Sequence, residues 1–313
     1  MNRVLVTGGT GLVGSAIRVI KPDWIYLGSK DCDMSCKSSV KQILQQYKPD
    51  TIIHLAANVG GLFKNTAHRL DMFNTNLIIN YNVLQTAFEL GIKRVICCLS
   101  TCIFPDGLNR VLTESCLHLG EPHSSNYGYA YAKRIMEVQC RLYSETPDYH
   151  YQCVIPTNIY GPNDNFNLED SHVIPGLIHK AYLHSQINND ESNIFTILGS
   201  GLPKRQFIYS TDLAKIIVRL IENSVYEPLL ICSTPESDET NIISVARLIA
   251  KEFGISRVEP SDKIDSQNDG QKIKTASPAR LLELMPDFSF TNIETGIHQT
   301  VEWFKNNYPY IRK

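Results

Sequence analysis

The chain has 313 residues, 43% of them hydrophobic and 20% charged, which suffices for a sizeable core in one large domain or two unequal ones. A formal net charge of −2 offers no global attraction to nucleic acid or anionic membrane, so an anionic ligand has to be held by local groups. No window approaches the roughly 18 consecutive apolar residues of a membrane span, the stretch Val4-Leu5-Val6 is too short for a signal peptide, and nine cysteines, several inside apolar runs, read as reduced thiols in a cytoplasmic protein.

From the amino terminus, short β-rich runs alternate with longer helical patterns. Strands are expected over 3–7, 24–27, 51–55, 94–100 and 151–156, and helices over 12–20, 38–47, 72–90 and 129–144. The nearly continuous apolar strands suit a parallel sheet covered on both faces, and the alternation predicts a Rossmann-type, doubly wound α/β fold. After Pro156 the rhythm loosens, with helices expected at 211–222, 243–253 and 293–306. Residues 1–156 are therefore assigned to one domain and 157–313 mostly to a smaller second one. The boundary is soft and lets segments around 205–232 return to the first.

Thr7-Gly8-Gly9-Thr10-Gly11-Leu12-Val13-Gly14 carries Gly-x-x-Gly-x-x-Gly between a strand and a helix. In that context the first glycine permits the turn, the second lets backbone approach a pyrophosphate, and the third packs helix on strand. The helix N-terminus then offers N–H groups and a positive dipole end to the anion. The second strand selects the cofactor. NAD sites usually place an acid at its end, whereas this chain has Ser29-Lys30, which suits the 2′-phosphate of NADP(H). Asp31 and Asp33 follow closely, and one of them is a candidate for the adenine amino group.

Tyr129 and Lys133 form Tyr-x-x-x-Lys, one turn apart on a helix face. A neighbouring ammonium is expected to lower the tyrosine pKa and ready it for proton transfer during hydride transfer. Tyr127 and Tyr131 lack a lysine four residues on and read as packing residues. Ser100, at the carboxyl end of the fourth strand, completes the set, with a turn cap as its alternative role. No Cys-x-x-Cys pair or His-Glu-x-x-His helix is present, and no metal is expected.

Ser100-Thr101-Cys102-Ile103-Phe104-Pro105 and the run from Pro156-Thr157-Asn158 through Gly161-Pro162-Asn163-Asp164-Asn165-Phe166 resemble the GDP-L-fucose synthase family of extended short-chain reductases. So do Ser171-His172-Val173-Ile174-Pro175 and Gly199-Ser200-Gly201 followed by Arg205-Gln206-Phe207. The match runs nearly end to end in order. The resemblance implies epimerisation of GDP-4-keto-6-deoxy-D-mannose at carbons 3 and 5, then reduction of the carbon-4 ketone by NADPH. It implies Ser100, Cys102, Tyr129, Lys133 and His172 as catalytic residues, with Cys102 and His172 exchanging the carbon-3 and carbon-5 protons. The cofactor would lie on Gly8, Thr10, Gly11, Leu12, Val13, Gly14, Ser29, Lys30, Ala56 and Ala57, besides Tyr129 and Lys133. Substrate contacts would come from Asn158, Asn165, Lys180, Arg205 and Lys274, and the helices at 72–90 and 129–144 would form a homodimer. Two departures stand out. Leu198 replaces a frequent family tryptophan, and Thr10 replaces an arginine that bacterial members use near the 2′-phosphate, leaving more of that task to Ser29 and Lys30. Cys102 and His172 argue against a UDP-hexose 4-epimerase or a simple 4-reductase, and the Tyr/Lys pair argues against a non-catalytic NADP(H) sensor.

Overall fold

A computed structural model of the chain describes residues 3–108, 110–187, 194–261 and 274–313. The apolar runs of the first half form β1 (Val4–Thr7), β2 (Ile25–Leu27), β3 (Thr51–His54), β4 (Arg94–Cys98) and β5 (His150–Pro156). The helices between them are α1 (Leu12–Ile20), α2 (Lys37–Tyr47), α3 (Leu62–Ala67), α4 (Arg69–Glu89) and α5 (Tyr127–Tyr143). The second half adds short strands β6 (Asn158–Tyr160), β7 (Ile194–Ile197), β8 (Lys204–Arg205), β9 (Phe207–Tyr209), β10 (Leu229–Cys232), β11 (Thr240–Asn241) and β12 (Arg257–Pro260). Its helices are α6 (Val173–Ile187), α7 (Ser210–Glu222), α8 (Ile242–Glu252), α9 (Ala279–Leu284) and α10 (Ile293–Asn307).

The main sheet is fully parallel with the order β2-β1-β3-β4-β5-β10. Alternation along the strands feeds two cores. Leu5 packs with Val40, Leu84 and Met136 under α2, α4 and α5, while Val4 and Val6 pack with Ile17, Leu213 and Ile217 under α1 and α7. Helix α7 and strand β10, from the second half of the chain, thus complete the nucleotide-binding type of sheet. A third apolar cluster, built on Phe166, Ile178, Ile249 and Phe304, underlies the paired strands β6–β9 and β7–β12. The chain reverses direction between β1 and β3, and that switch point leaves a crevice at the carboxyl ends of the strands, where such folds hold ligands.

Several elements differ from the sequence expectations. The fourth strand stops at Cys98, because Ser100 caps a 3-10 turn over Thr101–Ile103 and its side chain accepts from Cys102 N. Helix α6 was not anticipated. Its apolar residues fall on most of its surface, with Ile174, Leu177, Ile178 and Ala181 all buried, so it lacks an amphipathic period. Pro175 is tolerated because first-turn N–H groups have no intrahelical partner anyway.

Helices α4 and α5 pack closely, and Gly128 makes this possible, since a Cβ there would collide with the Arg69 carbonyl oxygen. Gly128→Ala is therefore expected to lose about 1–3 kcal/mol through overpacking, despite alanine's better helix propensity. Urea unfolding of the two proteins measures the difference, and an unchanged midpoint would contradict the close packing.

Candidate active site

Thr7 at the end of β1 shares a 2.8 Å hydrogen bond with His54 Nδ1 at the end of β3. Its hydroxyl also accepts from Leu55 N and Ala56 N, both at 3.2 Å, which ties the two sides of the switch point together. Gly8 follows with φ +67°, and a Cβ there would lie 2.8 Å from Ala56 N. A Cβ at Gly14 would lie 2.5 Å from Gly8 O, so the first turn of α1 is pressed onto the loop. Gly11 is the N-cap of α1, with no side chain to bond the first-turn N–H groups, and no acid lies in that turn. Those groups are left for an anion, so the residues fit the dinucleotide that the motif implies.

Beyond these strand ends lies a cavity of about 1000 Å³. Ser100, Cys102, Tyr129, Lys133 and His172 all line it, although they come from three separate stretches of chain. Gly8, Thr10, Gly11, Leu12, Val13, Gly14, Ser29, Ala56 and Ala57 also line it, as do Asn158, Asn165, Lys180, Arg205 and Lys274. Lys30 is exposed and does not line the cavity. Thr10 lies against Gly28, where a Cβ would meet its hydroxyl at 2.8 Å, so a short side chain covers the end of β2 beside Ser29. Asp31 accepts from Gly28 N at 2.7 Å. Of the two aspartates only Asp33 lines the cavity, and its carboxylate accepts from Ser35 N and Oγ.

Lys133 is 2% exposed. Its Nζ donates to the Cys98 carbonyl at 2.7 Å and lies 5.7 Å from the Tyr129 ring centroid. Burial lowers the Lys133 pKa, with the Cys98, Cys97 and Cys102 thiols opposing. Burial also raises the Tyr129 pKa well above its ordinary value, reinforced by charge on Cys102 and Cys98. This corrects the expectation of a lysine-lowered phenol. The ammonium is spent on a carbonyl and desolvation wins, so Tyr129 holds its proton at neutral pH. Tyr127 and Tyr131 pack against each other at 4.7 Å and stay off the cavity wall.

The turn-cap role considered for Ser100 is observed, its hydroxyl accepting from Cys102 N at 3.3 Å on the turn that carries Cys102, and the residue also lines the cavity. His172 sits at the start of α6, where its carbonyl accepts from Gly176 N at 3.0 Å. The residue is exposed and lines the cavity. Burial lowers its pKa, Asp170 opposes, and Arg312 and Lys274 reinforce the shift, so the imidazole is neutral at pH 7. Burial pushes Lys274 down to about 8; charge on Cys102 opposes this and the neighbouring Arg205 adds to it. Two cations facing one space repel, and an anion placed between them relieves both.

Asn165 is largely committed to its own loop. Its Nδ2 donates to Asp170 at 2.9 Å and its oxygen accepts from Asn167 N at 3.1 Å. Burial lowers the Lys180 pKa. Leu198, 54% exposed, lines the same cavity. Asp164 and Arg312 also line it, and neither was singled out from the sequence. Asp164 lay unassigned inside a quoted motif, and Arg312 is one charge in an aperiodic carboxyl-terminal tail. Among the described residues no cluster of His, Cys, Asp and Glu could hold a metal ion, and no helix is long and apolar enough to cross a membrane.

Comparison with known proteins places this geometry among relatives. The model of the NAD dependent epimerase/dehydratase family matches residues 4–231. The chain is 44% identical to a probable GDP-L-fucose synthase of Drosophila melanogaster, with all of each chain covered. It is 46% identical to a GDP-L-fucose synthase of Dictyostelium discoideum, covering 99% of this chain and 97% of the relative. A crystal structure of a GDP-L-fucose synthetase from Naegleria fowleri bound to NADP superposes with a TM-score of 0.90 at 40% identity, covering 100% of this chain and 95% of that one.

Proposed function

This chain belongs to the NAD dependent epimerase/dehydratase family, and within it to the GDP-L-fucose synthases; from that premise we propose that it converts GDP-4-keto-6-deoxy-D-mannose to GDP-L-fucose, as a 3,5-epimerase and an NADPH-dependent 4-reductase in one cavity. The observation that carries the reading is that Cys102 and His172 open into the same cavity as Tyr129 and Lys133. In this reading residues 1–156, with the returning α7 and β10, hold NADP(H), and the remainder holds the nucleotide sugar.

Carbons 3 and 5 both flank the ketone, so their protons are acidified through an enolate. Inverting each centre requires removal on one face and return on the other, which calls for an acid and a base on different walls. Cys102, on the turn after β4, and His172, before α6, supply two such groups. A thiol and an imidazole are both able to carry a proton to or from carbon, and a neutral His172 is able to accept one. When bound, the reduced nicotinamide supplies the hydride for carbon 4. Tyr129 donates the proton to the carbon-4 oxygen, Ser100 donates a hydrogen bond to it, and Lys133 holds positive charge beneath the phenol. Arg205 and Lys274, with Lys180 nearby, hold the GDP diphosphate, and Asn158 offers an amide to the sugar.

The protein works in the cytoplasm, as a homodimer through α4 and α5. Exposed Leu70, Ile78 and Tyr81 on α4 and Leu142 on α5 support that contact. Incubation with GDP-4-keto-6-deoxy-D-mannose and NADPH is expected to yield GDP-L-fucose by NMR. A reduced sugar that retains the D-manno configuration at carbons 3 and 5 would overturn the epimerase half of the assignment.

A further inference from the structure

The carboxyl-terminal tail turns back onto the cavity. The Arg312 carbonyl accepts from Phe166 N at 2.9 Å, and Ile311, 8% exposed, is seated in the third apolar cluster. This anchoring on both sides carries the Arg312 guanidinium to the phosphate loop, where its Nη1 lies 3.8 Å from the position a Gly11 Cβ would take. The guanidinium is exposed, lines the cavity, and has no hydrogen-bond or ion-pair partner among the described residues. An anchored arginine with its donors unused thus faces a loop shaped for an anion.

Asp164 supplies an independent observation beside it. Its carboxyl is 4% exposed, lines the same cavity, and has Oδ2 without a partner. Burial raises its pKa to about 7, while its backbone bond to Asn165 and the charge of Arg312 pull it down. Arg312 also acts on His172. The guanidinium therefore lies beside Gly11, and its charge reaches both Asp164 and His172.

We propose that Arg312 is a cofactor-binding residue, a latch from the carboxyl terminus that donates to the diphosphate of the bound dinucleotide opposite the N-terminus of α1, with the buried carboxyl of Asp164 facing the same cavity. The inference rests on the NADP(H) reading given above. The guanidinium geometry suits a diphosphate, which two parallel N–H groups engage at once. Proximity to Gly11, the N-cap of α1, selects the cofactor's diphosphate over that of the nucleotide sugar.

The test is equilibrium binding of NADPH, NADH and GDP to the full chain and to Arg312→Gln, Arg312→Lys and Lys30→Gln, with melting temperatures taken without ligand. Arg312→Gln is expected to weaken NADPH and NADH by the same factor, about tenfold or more for a lost charge-assisted contact, with GDP affinity and the ligand-free melting temperature unchanged. Arg312→Lys is expected to recover part of the loss. Lys30→Gln, outside the cavity wall, reads the 2′-phosphate end separately, where any loss is expected with NADPH and none with NADH. Wild-type affinity in Arg312→Gln would overturn the proposal. So would weakening of NADPH only, which would move the residue to the 2′-phosphate, or of GDP only, which would move it to the substrate. A lowered melting temperature that Arg312→Lys fails to restore would make the role structural. Failure of the wild-type protein to bind either reduced dinucleotide would instead overturn the cofactor reading itself.

Discussion

Tyr129→Phe is expected to slow reduction of the carbon-4 ketone by about 10²–10⁴-fold, the usual loss when a positioned proton donor is removed. Burial raises the phenol's pKa well above its ordinary value, so the substitution removes the proton to be donated with little change of shape. NADPH affinity is expected to survive, because the glycine loop and the α1 N-terminus are untouched. Single-turnover oxidation of bound NADPH by the ketosugar measures the loss directly. Lys133 is not an equivalent probe. Its ammonium is 2% exposed and bonded to the Cys98 carbonyl, so removing it leaves a buried acceptor unpaired and mixes stability with chemistry. A Tyr129→Phe protein that reduces the ketone at the wild-type rate would remove Tyr129 from the mechanism.

Proton exchange at carbons 3 and 5 requires no hydride, and this separates the two chemistries. In heavy water the wild-type protein is expected to place deuterium at both carbons, and Tyr129→Phe is expected to keep washing deuterium into the ketosugar. Cys102→Ser nearly preserves shape but removes the thiol, and His172→Gln preserves hydrogen bonding but removes the titrating ring. Each is expected to lower exchange by about 10²-fold or more, with NADPH affinity retained. The pH profile carries a sign. Burial lowers the His172 pKa, so the neutral ring able to accept a proton persists to lower pH than a free imidazole with its pKa near 6.5. The acid limb attributable to His172 is therefore expected on the acid side of that value and is expected to disappear in His172→Gln. Wild-type exchange rates in both variants would leave Cys102 and His172 as structural residues and the protein as a reductase alone.

The legibility of the site tracked how local each signal was. The glycine loop was readable because every requirement on Gly8, Gly11 and Gly14 is set within eight consecutive residues and the strand and helix flanking them. Tyr129 and Lys133 were readable for the same reason, one helical turn apart. What that spacing could not carry was the sign of the phenol's shift, since burial and the choice of the Cys98 carbonyl as the lysine's partner depend on strands far away in the chain. The role of Lys30 shows the same limit. Its charge was evident, but the turn after β2 leaves it outside the cavity wall while Ser29 and Thr10 occupy that edge.

The order of apolar runs and helical patterns determined a parallel, doubly wound sheet, because each strand and helix has to bury its apolar residues against its neighbours. The tertiary structure alone decided which distant side chains share a space. It returned α7 and β10 to the first sheet, set His172 at the head of a helix without an amphipathic period, and folded the last residues back so that Arg312 faces Gly11. Periodicity records which side of an element is buried, but not what it is buried against. Pairings between residues 150 or 300 positions apart are chosen by the packing of whole elements and leave no local pattern to read.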